Sequence, residues 1–186
     1  SFPDALDELE QAVARYAANG MDAAVALALY ERGEVLRLLG DLAGADAAYE
    51  EAATQGHDPQ PGRALLWLAQ GRTSAAEGCV RRLLDKTGGP VARARTLGPA
   101  VEVLLAAGDV DAATQASARL TGLADTFGCA ALTAQAEYAA GHLALATGDP
   151  AGALSDFRRA WKSWVGIGGR YDAARTRVRL AEALRA

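Results

Sequence analysis

The side chains that could do chemistry in this 186-residue chain are few and scattered. Its two histidines, His57 and His142, lie far apart in sequence. A metal site needs His, Cys, Asp or Glu gathered at short spacing, and His57-Asp58 reads instead as turn chemistry. Cys79 and Cys129 are too few and too distant for a disulfide framework. They read as small buried hydrophobes, with a redox pair as the alternative. Gly166-Ile167-Gly168-Gly169 has the glycines of a dinucleotide loop but follows a helical pattern rather than a strand, which argues against a nucleotide site. A phosphate loop needs Gly-x-x-x-x-Gly-Lys, and the only lysines are Lys86 and Lys162. No Ser or Cys nucleophile stands beside a base, and acid pairs such as Glu50-Glu51 sit in ordinary helix surface. These residues assign no catalytic, cofactor or metal role, and an enzyme is not expected, because convergent acid, base or metal groups are lacking.

The polar residues that recur at fixed spacing belong to a repeat. Gly40, Gly71, Gly108 and Gly148 each close one apolar helical run and open another, at spacings of 31, 37 and 40 residues. Asp41, Asp109 and Asp149 follow three of them and can cap the next helix. After Gly71, Thr73 or Ser74 can do so. Seven residues before the glycines stand Gly33, Ala64, Val101 and Gly141; nine after stand Tyr49, Val80, Ser117 and Phe157. Small residues let two helices approach, and the large one fills the gap. The pattern resembles a degenerate tetratricopeptide repeat, a helix–turn–helix unit of about 34 residues. That resemblance implies a concave surface built from the first helix of each pair. Tyr30, Glu34 and Arg37 would line it, then Glu102, Tyr138 and His142, with Arg95 and Gln135 also reaching it. Such a polar and aromatic lining suits a peptide or small effector; the alternative is a solvated inner face with no specific ligand.

These positions require helices, and the composition supplies them. The chain has 45 Ala and 24 Leu but one Ile and 10 Val, which favours helix and disfavours strand. The expected fold is all-α, a right-handed tetratricopeptide-like array of antiparallel helix pairs forming a single domain over 1–186. The helices are predicted at 4–18, 22–39, 42–55, 61–70, 73–86, 90–107, 110–126, 129–147, 150–164 and 171–185. Breakers fall between them: Pro59, Pro61, Gly88-Gly89-Pro90, Gly128 and Gly166 to Gly169. No apolar run approaches the roughly 20 residues of a membrane span.

Phe157, Trp161 and Trp164 share one helix face and are expected to pack on Tyr171 and Val178, the alternative being an interface with a further segment. The net charge of −4 is unevenly spread: residues 1–58 carry −9 and residues 158–186 carry +6. Solvated helix faces explain this, or an end-specific contact does. The array begins in a second helix, ends in a first helix and lacks an initiator Met, so a piece cut from a longer protein is expected. Apolar faces should then lie open at Leu6, Leu9 and Val13 and at Val178, Leu180 and Leu184.

The stretch from Gly56 to Arg72, with Pro59-Gln60-Pro61-Gly62 at its heart, is followed by Leu104 to Val110, Arg159-Ala160-Trp161, Trp164 and Tyr171-Asp172-Ala173-Ala174-Arg175. In this order they resemble the helical-repeat region of actinobacterial LuxR-family transcriptional regulators, from about residue 22 onward. Arg170 stands where family members often carry Pro. The resemblance implies a signal-receiving, non-enzymatic domain, working with a protein partner or small effector. It also implies a DNA reader carried elsewhere, since residues 170–186 are too few for a helix-turn-helix. A homo-oligomer is compatible with it, and no membrane partner or cofactor is expected. The Ala-, Gly- and Arg-rich composition points to a GC-rich genome and a bacterial cytoplasm. A stand-alone scaffold for protein assembly is the alternative.

Overall fold

The computed structural model of the chain describes residues 2–86 and 88–186. Among these residues there are ten α-helices and no strand. They are α1 (Phe2–Ala18), α2 (Asp22–Leu39), α3 (Leu42–Thr54), α4 (Gly62–Ala69) and α5 (Thr73–Asp85), then α6 (Pro90–Ala106), α7 (Val110–Phe127), α8 (Ala130–Ala146), α9 (Pro150–Gly166) and α10 (Arg170–Ala183). The helices form two compact units, Ser1–Ala76 and Glu77–Ala186, whose boundary lies inside α5.

The turns explain the sharp helix limits. Gly40, Gly108 and Gly148 adopt φ of 85°, 82° and 78°, a conformation costly for any residue with a Cβ. In each, the glycine N–H and the following Asp N–H donate back into the last helical turn, as in Gly108 to Leu105 and Asp109 to Leu104. These bonds satisfy carbonyls that the helix end leaves unpaired. The Asp side chain then accepts from a backbone N–H of the next helix: Gly44 for Asp41, Ala112 for Asp109 and Gly152 for Asp149, each at 2.9 Å. One Gly-Asp pair thus ends one helix and starts another. Helix α5 differs, since Thr73 lies inside it as its first residue.

Packing follows the small-against-large rule. A Cβ on Gly33 would lie 2.6 Å from the Tyr49 ring, and one on Gly141 would lie 2.6 Å from the Phe157 ring. Both rings are wholly buried, so α2 meets α3, and α8 meets α9, at glycine. In the α6–α7 pair the sizes reverse: the same positions hold Val101 and Ser117, both buried. The irregular columns of the repeat are therefore an exchange of volume.

In the first unit, Val25, Leu29, Tyr30, Tyr49 and Leu66 form a core on which Val13 packs. Leu6, Leu9 and Val13 are half-buried, so the apolar face expected to be open at the start is partly covered, by α2. In the second unit Phe157 and Trp164 are buried, and Trp161 packs beside them. Their neighbours on α10 are Ala173, Leu180 and Ala183. Val178 is not one of them: it is 59% exposed, as Leu184 is at 68%. The expected core stripe is present, but α10 turns a different edge to it, and of the three apolar residues expected in the open only Leu180 is tucked in. No helix is long and apolar enough to cross a membrane among the described residues.

Candidate functional site

The eight residues predicted to line an inner surface divide between the two units, three in the first and five in the second. In the first unit they hold structure together. Tyr30 is 4% exposed and stacks near Tyr49 and His57, at ring separations of 5.8 and 5.0 Å. It is core, because α3 and the loop after it close over it, so it lines no open surface. Glu34 accepts a hydrogen bond from the Tyr49 hydroxyl and one of 2.7 Å from Arg37. Burial, reinforced by the Glu34 carboxylate, raises the Tyr49 phenol far above its ordinary range. The Pro-Gln-Pro-Gly segment finds its role here. A Cβ on Gly62 would lie 2.0 Å from Glu34 Oε1 and 2.7 Å from the Tyr49 hydroxyl, so only glycine lets α4 begin against this pair.

The second unit gathers a more suggestive group. Glu102 on α6, Tyr138 and His142 on α8, and Arg175 and Arg179 on α10 meet across three alternate helices. Arg175 pairs with Glu102, and its guanidinium carbon sits 4.8 Å from the centre of the Tyr138 ring, a cation–π distance. Arg179 pairs with Glu182 at 2.7 Å. The Tyr138 and His142 rings are 4.6 Å apart, and Phe157 closes behind His142 at 5.5 Å.

Two polar atoms here are buried without a hydrogen bond: the Tyr138 hydroxyl and His142 Nε2. Tyr138 is 8% exposed, and the Arg179 guanidinium approaches its hydroxyl closely enough to act on it both as a hydrogen-bond donor and as a charge, short of a well-formed hydrogen bond. Buried polar atoms are nearly always satisfied, and leaving one bare costs about 1–3 kcal/mol. Burial lowers the His142 pKa to about 4, so the imidazole is neutral at pH 7 and offers one donor and one acceptor. Burial likewise raises the Tyr138 phenol, which keeps its proton. Burial alone would lower Arg175, yet the Glu102 carboxylate with Tyr138 and Tyr171 together more than offset it, and the guanidinium stays charged. The cluster thus encloses two neutral hydrogen-bonding groups beside two internally paired cations.

Arg95 and Gln135 are placed elsewhere. They line a cavity of about 450 Å³ with Val91, Phe127, Cys129 and Leu132. Cys129 is exposed there, unlike the buried Cys79, because it directly precedes α8 rather than facing a partner helix. Arg175 ends the Tyr171–Arg175 motif, yet neither it nor Arg179 is marked as a site residue by the repeat register. The repeat register marks inner positions by their distance from the glycine that ends each helix, and no such glycine follows α10. The i, i+4 spacing of the two arginines with Glu182 three residues on was the available signal.

No protein-family model matches the chain, and no curated protein matches it either.

Proposed function

We propose that the chain is the signal-receiving domain of a bacterial LuxR-type transcriptional regulator, non-enzymatic, coupling a partner or effector to a DNA-binding domain outside these 186 residues. In this reading the helix pairs form a right-handed tetratricopeptide-like array whose first helices, α6, α8 and α10, present the inner surface. The observation that carries the receiving role is the pair of unsatisfied buried atoms, Tyr138 Oη and His142 Nε2, just beneath that surface. A bound polar group would complete their hydrogen bonds. The regulator assignment rests on the ordered motifs from Gly56 to Arg175.

The reading frame beyond residue 186 tests the assignment. A helix-turn-helix there, whose DNA affinity in the intact protein changes in Tyr138→Phe or His142→Leu, supports it. A frame that leads to no DNA reader overturns it. The exposed Val178 on α10 and Leu184 directly after it favour the second reading, a stand-alone assembly scaffold, which that latter outcome would leave standing.

A further inference from the structure

Within the second unit, a cavity of about 610 Å³ opens between the C-terminal half of α5 and the α6–α7 pair. It is separate from the Glu102 cluster and does not depend on the regulator reading. Its volume falls in the range of small-molecule sites, roughly 300–1,000 Å³.

The floor is apolar. Leu83 and Leu84 come from α5, Leu97 from α6 and Leu123 from α7. Leu97 is 3% exposed, while the other three are half-buried and keep apolar surface toward the opening. The polar residues follow helical spacing. Arg93 and Thr96 share a face with Leu97, and Arg119 and Thr126 share one with Leu123. The threonine hydroxyls already donate within their own helices, Thr96 to Ala92 at 3.0 Å and Thr126 to Gly122 at 2.7 Å. The Arg93 and Arg119 side chains are exposed and form no ion pair among the described residues. Lys86 and Asp85, of opposite sign, also line the cavity. The hydrogen-bond donors free to meet a ligand are therefore guanidiniums, which prefer a carboxylate or similar oxyanion. Leucines beneath and guanidiniums above demand an apolar body with an anionic head.

We infer that this cavity binds an amphipathic organic anion, an acyl chain of medium length ending in a carboxylate, with the chain on the four leucines and the carboxylate between Arg93 and Arg119. Gly122 makes the idea testable without harming the fold. It lies in the lining, and a Cβ there would meet nothing within 4 Å. A larger side chain would grow into the cavity rather than into a neighbour.

Isothermal titration calorimetry of the whole chain with decanoate, 1-decanol and acetate is the test. Decanoate should bind, with Gly122→Phe and the double variant R93Q/R119Q each weakening it at least tenfold. Decanol should bind at least tenfold more weakly than decanoate, and acetate should give no heat. Circular dichroism of both variants should match the parent. If Gly122→Phe fails to fold, Gly122→Met and methyl chemical shifts of the parent chain replace it, and decanoate should perturb Leu83, Leu84, Leu97 and Leu123. No binding of decanoate at 1 mM, binding indifferent to either variant, decanol binding equal to decanoate, or shifts confined to other leucines would each overturn the assignment.

Discussion

At the scale of single residues, two glycines on the second unit make opposite predictions. A Cβ at Gly141 would lie 2.6 Å from Phe157, whose ring is wholly buried and has nowhere to retreat. Gly141→Ala should therefore lower the melting temperature, with an overpacking cost of about 1–3 kcal/mol. Gly122 meets no atom within 4 Å and sits inside α7. Gly122→Ala should raise the melting temperature, because alanine is favoured over glycine in a helix by about 1 kcal/mol. Calorimetry of the two variants side by side checks the packing register, and two shifts of the same sign would show it misplaced. His142 adds a pH dependence. Its folded pKa of about 4 lies below the ordinary imidazole value of 6.5, through burial. Above pH 6.5 the residue is neutral in both states and contributes no slope. As pH falls from 6.5 toward 4 the unfolded chain takes up the proton first, so stability drops, by roughly 3 kcal/mol in all. Urea unfolding at pH 7, 6 and 5 should show this decline, and His142→Phe should flatten it.

At the scale of helices, the repeated Gly-Asp turn is the device that divides the chain. Asp149 accepts from Gly152 N–H and leads into Pro150 at the first turn of α9, where proline is tolerated. Asp149→Ala should cost about 1 kcal/mol of stability, and α9 should lose hydrogen-exchange protection in its first turn. Protection unchanged there would deny the cap its role. These signals explain why every helix was legible in the sequence to within about two residues: glycine, aspartate and proline act on the backbone locally. The site was legible only in part, because its partners are set by tertiary placement. Glu102, Tyr138 and His142 were found from repeat register. Tyr30 obeyed the same register yet lies in the core, since His57 and Tyr49 cover it. Gly62 falls in the first turn of the helix predicted at 61–70, and nothing local reveals that Glu34 and Tyr49 converge on it. Arg95 and Gln135, marked by the same register, line the 450 Å³ cavity, whereas the 610 Å³ cavity left no mark in sequence, for it depends on how far apart neighbouring helices stand.

At the scale of the whole molecule, the question is whether the basic residues near the end could hold DNA without a recognition helix. Residues 158–186 carry a net charge of +6, which alone would suggest a phosphate-binding surface. The structure divides that charge. Arg159 pairs with Asp156 and Glu137, Arg175 with Glu102, and Arg179 with Glu182. Arg158, Lys162, Arg170, Arg177 and Arg185 remain exposed on α9, α10 and the segment after it. If all five met phosphates, the slope of log K against log salt would be about −4.5, a modest figure, and the chain as a whole carries −4. Helices that read DNA bases also place several side chains in the major groove, whereas the α10 arginines Arg175 and Arg179 are committed to the Glu102 cluster and Glu182. The 186 residues alone should therefore bind duplex DNA without sequence preference and more weakly than about 10⁻⁶ M at physiological salt, within the non-specific range. Fluorescence anisotropy with two unrelated duplexes, at low and physiological salt, measures this. Sub-micromolar binding to one duplex over the other at physiological salt would mean that these helices read DNA themselves and that the receiving role is wrongly assigned.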